Sequence, residues 1–255
     1  MADWENDLGN LPGKSQKQVL VVPIIDASGS MNAEGNIGKV NEAMREVAPQ
    51  LVDVENDNNV EILIAPLIFN NGARWVGLAP GDEPVRPANF NWSDVVATGG
   101  TDLGSAYSLL IKKLTTKENG GWLEGRKGLR PVILLISDGE PNPDSGWERE
   151  LETLSKRGWF RVAMKYAIAV EGASMPVLEK FTGTRETIYD TETLRTDLGT
   201  LIASILKIVS NAVSDGGGAI VNTNIPTTDA EETQKQGIID AVNDAISVND
   251  SDDFF

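Results

Sequence analysis

The chain contains no cysteine and no histidine among its 255 residues. Without thiols there is no disulfide framework, no thiolate metal site and no cysteine nucleophile. Without imidazole, histidine-dependent mechanisms go as well, from Ser-His-Asp hydrolysis to zincin chemistry and haem ligation by His or Cys. Basic residues are scarce: 22 Lys and Arg stand against 38 Asp and Glu, a net charge of -16. Such a charge repels phosphate backbones and anionic bilayers, so neither nucleic acid nor a membrane surface is an expected partner. No run approaches the ~18 apolar residues that a membrane-spanning helix needs. Residues Met1 to Leu8 are acidic where a secretory signal would be basic and then apolar, which leads to the expectation of a cytoplasmic protein. Apolar residues nonetheless make up 40% of the sequence, enough at this length to fill one large core or two small ones.

Periodicity supplies the architecture. Gln18 to Ile25 is a near-continuous apolar run rich in Val and Ile, followed by a loop from Asp26 to Met31 and an amphipathic stretch from Ile37 to Val54. This reads as strand, loop and helix. Val60 to Phe69 and Ala73 to Leu78 read as two strands joined by a hairpin turn at Asn70, Asn71 and Gly72. Helices are expected over Leu103 to Leu114, Trp147 to Lys156 and Met175 to Phe181, and strands over Pro131 to Ile136, Lys165 to Val170 and Thr187 to Tyr189. A long helix is expected over Leu194 to Val213, with Leu198, Leu201, Ile202, Ile205 and Ile208 on one face. Strands apolar on both faces, alternating with helices, imply an α/β fold with a doubly wound, mostly parallel central sheet covered by helices on both faces. Pro23 lacks a ladder donor, and a local break is expected there. The organisation is an N-terminal extension over 1–17, one domain over 18–213 and an acidic C-terminal tail over 214–255.

In parallel sheets, ligands gather at the carboxyl ends of strands. Three polar clusters sit at such places: Asp26-Ala-Ser28-Gly-Ser30 after the first strand, Thr98-Gly-Gly-Thr101-Asp102 ahead of the Leu103 helix, and Ser137-Asp138-Gly139 after the Pro131 strand. Each alone is an ordinary cap or turn. Together they supply carboxylates and hydroxyls, beside glycines that allow tight turns, and all-oxygen sets suit a hard cation such as Mg²⁺.

Asp26-x-Ser28-x-Ser30, Thr101 within Gly-Gly-Thr-Asp, and Asp138-Gly139 resemble, in order and spacing, the five-residue metal ion-dependent adhesion site of von Willebrand factor A domains. The resemblance covers roughly Gln18 to Val213, and all five positions fit the pattern. It implies that Ser28, Ser30 and Thr101 contact a metal or its waters through hydroxyls. Asp26 and Asp138 would lie in the first or second coordination sphere, and a partner carboxylate would complete the octahedron. Mg²⁺ is the expected ion, with Mn²⁺ or Ca²⁺ as substitutes. More narrowly, Ala65 to Phe69, Thr98 to Leu103, Leu134 to Pro141 and Trp159 to Val170 look like the bacterial cytosolic TerY-like (tellurium-resistance) branch. Proteins of that branch are commonly encoded with a serine/threonine kinase and a PPM-family phosphatase in stress or phage-defence loci. The resemblance therefore implies a non-enzymatic adaptor for such a pair. An adaptor of an AAA+ ATPase of the MoxR or chelatase kind is the alternative.

Two enzyme motifs are weak. Gly13-Lys14-Ser15 resembles the end of a P-loop, but the required first glycine would fall at Leu8 and no strand precedes it. Asp26 after a buried strand could serve as the nucleophile of a haloacid dehalogenase-like phosphotransferase. That chemistry needs a second aspartate two residues on as general acid, and this chain has Ser28. Trp92, Trp122 and Trp147 are open to two readings, as interface anchors or as covers for sheet and helix edges, whereas Trp159 and Phe160 are expected to pack inward.

Beyond Gly216-Gly217-Gly218, Thr228-Asp-Ala-Glu231 has capping-box spacing ahead of an amphipathic stretch marked by Ile238, Ala241, Val242 and Ala245. Asn211 to Phe255 holds nine acidic residues against Lys235 alone. The tail is expected to act as a docking arm rather than a second domain, on a basic partner in preference to its own acidic domain. Carboxylates near Asp250, Asp252 and Asp253 reaching a metal site are a further possibility, and Thr223, Thr227, Thr228 and Thr233 are open to a kinase.

Overall fold

Strand β1, Lys17–Asp26, is apolar from Val19 to Ile25 because its alternate side chains feed two different layers. Val19, Val21 and Ile25 enter one core, and Leu20, Val22 and Ile24 enter the other. A computed structural model describes residues 17–58, 60–123, 130–191 and positions 202, 204 and 205. After β1 come a 3-10 turn over Gly29–Gly35, helix α1 (Asn36–Asn58), and strands β2 (Val60–Ile64), β3 (Leu67–Phe69) and β4 (Ala73–Trp75). Then follow α2 (Leu103–Lys113), β5 (Val132–Ser137), α3 (Trp147–Ser155), α4 (Gly158–Val162), β6 (Met164–Ala169), α5 (Met175–Thr182) and β7 (Ile188–Asp190).

The sheet runs β4-β3-β1-β5-β6-β7, with β2 also on β1, and among the described residues only the β3–β4 strand pair is antiparallel. The doubly wound, mostly parallel architecture expected from the sequence is therefore present. On one face α1 buries Val40, Ala43, Met44, Val47, Leu51 and Val54, at helical spacing, against Val21, Ile62, Ile64, Leu134 and Ile136. The other face takes α2 through Leu103, Ala106, Tyr107 and Leu110, together with α3, α4 and α5. Among the described residues, no helix is long and apolar enough to cross a membrane.

Four local expectations need correcting. β1 is not broken at Pro23, which stays in register with Leu134. The break falls instead on the neighbouring strand. Val21 accepts from the Ala65 N–H at 3.0 Å, so its polar groups face β2 and β3, and residue 23, two further on, faces the same way. There the expected strand Val60 to Phe69 is interrupted at Ala65 and Pro66, dividing it into β2 and β3, so the missing proline donor meets a gap in the ladder. The strand after the hairpin ends at Trp75, before Leu78. The short helix α4, which carries the buried Trp159 and Phe160, was not expected as a helix.

The outer edge of β2 is closed by side-chain and loop contacts. Buried Glu55 accepts from the Ile62 N–H at 2.8 Å and is held by Arg86 at 3.2 Å, while Ile64 and Val85 exchange backbone bonds of 2.8 and 3.1 Å. Ile202 and Ile205 are helical and fully buried in the α1 layer, as the expected apolar face requires. Apart from position 204, the remaining positions of the Leu194 to Val213 helix lie outside the described residues, as do the Gly13-Lys14-Ser15 motif, the boundary near 213 and the tail helix.

Candidate metal centre

β1 and β5 end side by side, with Ile25 level with Ile136, which brings Asp26 next to Ser137. Asp26 is fully buried, and both of its carboxylate oxygens are engaged. Oδ1 accepts the Ser28 N–H at 2.8 Å, and Oδ2 accepts the Ser137 hydroxyl at 2.7 Å. The Ser28 and Ser30 hydroxyls are 2.9 Å apart, and Ser30 Oγ donates to Asp138 Oδ1 at 2.9 Å. A continuous chain of hydrogen bonds thus joins Asp26, Ser28, Ser30 and Asp138, residues separated by up to 112 positions in sequence but gathered at one sheet end. Ser28 and Asp138 are buried, whereas Ser30 is exposed and marks the mouth of the site.

Thr101 arrives on a separate loop that is stitched to the first. Thr98 N–H donates to Ala27 O at 2.8 Å, Gly29 N–H donates to Gly99 O at 3.0 Å, and Asn32 Nδ2 bridges Gly29 O and Ala97 O at 3.1 and 3.0 Å. The loop turns through Gly99 at φ +79°, a left-handed conformation suited to glycine. A Cβ on either Gly99 or Gly100 would collide with Asn71 or Asn142. Those two asparagines hold the turn: Asn71 Oδ1 accepts the Gly100 N–H at 2.6 Å, and Asn142 N–H donates to Thr101 O at 2.9 Å. Asp102 then caps α2 through the Ser105 N–H. Thr101 is buried beside the site, but its hydroxyl is not part of the chain that joins the other four residues.

The electrostatics are unbalanced. Burial raises the pKa of Asp26, the hydrogen bonds from Ser28 and Ser137 oppose the rise, and the charge of Asp138 adds to it. Burial likewise raises Asp138 against the Ser30 bond. Among the described residues neither carboxylate is paired with Lys or Arg, so ionising both in one pocket is costly unless a cation compensates. Nor, among the described residues, do three Asp or Glu side chains cluster as a carboxylate cage. Two carboxylates plus hydroxyls is a donor set that fits a hard divalent ion retaining several waters, the habit of Mg²⁺.

Sequence reasoning missed the supporting residues. Ser137 was visible at its strand end, but its bond to Asp26 depends on the β1–β5 register, which the chain does not spell out. Asn71 looked like plain turn chemistry, and Asn142 and Asn32 carried no signal. The tryptophans fall mainly on the structural side. Trp92 is buried with Nε1 donating to Asn41 Oδ1 at 3.0 Å, and Trp122 is buried with Nε1 donating to Asp82 O at 2.9 Å and lies edge-on to Trp75. Trp147 is half-buried under Lys180.

No protein-family model and no curated protein matches the sequence. Solved structures do match. A von Willebrand factor type A protein from Catenulispora acidiphila superposes with TM-score 0.54 at 15% identity over 78% of this chain and 43% of its own. Proximal thread matrix protein 1 from the mussel byssus, in a structure described as having a zinc-occupied MIDAS motif, gives TM-score 0.53 at 17% identity over 76% of this chain and 46% of its own. The pilus adhesin SpaC from Lactobacillus rhamnosus GG gives 0.57 at 11% over 80% and 31%. The chain spans less than half the length of each. At these identities the likeness is one of fold: the chain has the α/β fold of von Willebrand factor A domains.

Proposed function

We propose that this chain is a non-enzymatic protein-interaction adaptor whose partner binding depends on a divalent ion, Mg²⁺ foremost, held by Asp26, Ser28, Ser30, Thr101 and Asp138. The observation that carries the proposal is the pair of buried carboxylates, unpaired with any base among the described residues, meeting three loops of hydroxyl donors at the carboxyl end of the sheet. When bound, the ion supplies a seat for an Asp or Glu of a partner protein in place of water. Asp26 and Asp138 provide the negative charge. Ser28 and Ser30 space the two carboxylates, Ser137 fixes the orientation of Asp26, and the stitched Gly99–Gly100 turn fixes the backbone of Thr101. A zinc-occupied motif in a protein of the same fold supports metal binding without specifying the ion.

A catalytic role for Asp26 fits poorly. Its oxygens are both occupied, its side chain is fully buried, and Ser28 stands where a haloacid dehalogenase-like general acid is required. The sequence resemblance to the TerY-like branch supports a serine/threonine kinase and a PPM-family phosphatase as partners, in stress or phage defence. Affinity capture by the full chain tests this reading. A kinase or phosphatase should co-purify in Mg²⁺, disappear in EDTA, and be lost with Asp26→Ala. Recovery indifferent to chelator would refute the metal bridge, and Mg²⁺-dependent turnover of a generic phosphoester would refute the adaptor reading.

A further inference from the structure

The basic residues of this acidic chain are not spread evenly. Residues 111–117 and 153–165 hold seven Lys and Arg and no Asp or Glu, against 22 basic and 38 acidic residues in the whole chain. The fold brings these two segments together. The last turn of α2 and the α3–α4 junction face one another at the pole opposite the Asp26 site, since α2 and α3 both start beside that site and run away from it. Between them lies an open cavity of about 650 Å³ lined by Ile111, Lys112, Thr115, Asn119 and Arg157. Lys112 and Arg157 are exposed there, as is nearby Arg161, and among the described residues none of the three has a carboxylate partner. Lys156 is paired with Glu152 at 2.7 Å, and Lys113 lies over Trp122, so the two unpaired cations lining the cavity are the ones with capacity to bind an anion.

We infer that this basic cavity is a docking site for the chain's own acidic segment, residues 229–253. Three observations select that occupant. The segment carries eight Asp and Glu against Lys235 alone, the complement of the cavity's charge. The opposite pole holds the carboxylates of Asp26 and Asp138, which have no Lys or Arg partner among the described residues, so the basic pole is where a carboxylate-rich segment finds attraction. The segment is also tethered. Ile205 is buried in the α1 layer, and the 23 intervening residues can reach across a domain of this size, which sets an effective concentration of order mM that an external acidic peptide must exceed. The expectation that the tail prefers a partner rested on a uniformly acidic domain, and this pole is the exception to it. The Lys112 and Arg157 heads would pair with carboxylates, while Thr115 and Asn119 add neutral donors.

Carbodiimide cross-linking of the full-length chain, which joins lysine amines to carboxylates in contact, tests the assignment by mass spectrometry. At ~0.01 M salt, where charges act over about 30 Å, Lys112 and Lys113 should link to acidic residues of 229–253. The yield should fall roughly tenfold in Arg157→Glu, the change that about 1.4 kcal/mol of like-charge opposition produces. It should collapse at ~1 M salt, where the screening length is about 3 Å. Lys180→Glu, a charge reversal near the start of α3, should leave it unchanged. Links from 229–253 spread evenly over all surface lysines, or a Lys112 yield indifferent to Arg157→Glu, would overturn the site. In a mixture of ¹⁴N- and ¹⁵N-labelled copies, links only between unlike copies would overturn the intramolecular assignment.

Discussion

Substituting Gly99 by alanine tests how the second loop positions Thr101. Gly99 has φ +79°, where an L-residue is strained by about 1–2 kcal/mol, and the new Cβ would lie 2.6 Å from Asn71 Nδ2 and 2.7 Å from its Cγ and Oδ1. The Asn71 side chain can swing aside, but its Oδ1 then releases the Gly100 N–H it now holds at 2.6 Å, a net loss of ~0.5–1.5 kcal/mol. The sum is about 1.5–3.5 kcal/mol, well within the ~5–15 kcal/mol that typical domains possess, so the variant should fold. At ~2–4 °C per kcal/mol for a chain of this size, its Tm should fall by roughly 3–14 °C. The released turn carries Thr101, so partner binding should weaken more than bare Mg²⁺ binding. Asn71→Ala alone forfeits only the bond, and adding it to Gly99→Ala removes the clash. The double variant should therefore be less destabilised than the sum of the two, by about the value of the shared bond. Thermal unfolding with calorimetric titration of each variant measures all of this. A Gly99→Ala protein with wild-type Tm and wild-type binding, or strict additivity with Asn71→Ala, would refute the reasoning.

Asn41→Ala should cost about 3 kcal/mol or more in urea unfolding. Its buried amide bonds Val95 O at 2.9 Å, Val95 N–H at 2.9 Å and Trp92 Nε1 at 3.0 Å, and these three groups would lose their partner. A loss under 1 kcal/mol would show that the 92–97 loop is held elsewhere. Glu55→Ala strips the cap from the Ile62 N–H and the partner from Arg86, and an expected loss of ~2–4 kcal/mol is checked the same way, with Glu55→Gln retaining part of it. Both Asp26 and Asp138 have pKa values raised by burial, so their contribution to metal-free stability is present at acid pH and is lost as pH rises through the raised folded values. A cation that binds the ionised pair acts in the opposite sense. The stability gap between Mg²⁺-saturated and EDTA-treated protein should widen from pH 4 to pH 7, and a gap that stays flat would mean these carboxylates do not hold the ion.

Most of the sheet was legible because a strand covered on both faces is a continuous apolar run, as Val19 to Ile25 in β1 and Val132 to Ile136 in β5 are. Helices α1, α2, α3 and α5 were legible because each shows a clear apolar stripe. What stayed hidden depends on pairing across the chain. Pro23 reads as a breaker, and only the β1–β2–β3 ladder shows that the neighbour supplies the gap. Four of the five candidate positions stood out because oxygen donors follow β1 and β5 directly, and Thr101 stood out through the Gly-Gly-Thr-Asp run ahead of α2. Ser137, Asn71 and Asn142, which hold those positions in place, act through a register or a loop contact that no local pattern encodes. The basic pole was obscured by the net charge of -16, an average that conceals two short segments meeting only in the fold.

Calorimetric titration of Mg²⁺, repeated with Mn²⁺, into the full-length chain measures whether one divalent ion is bound by residues from the three loops. The wild type should bind one ion per chain, and Asp26→Ala or Asp138→Ala should show no detectable binding, with circular dichroism showing both variants folded. Isotherms identical in the wild type and the two variants would contradict binding by these residues.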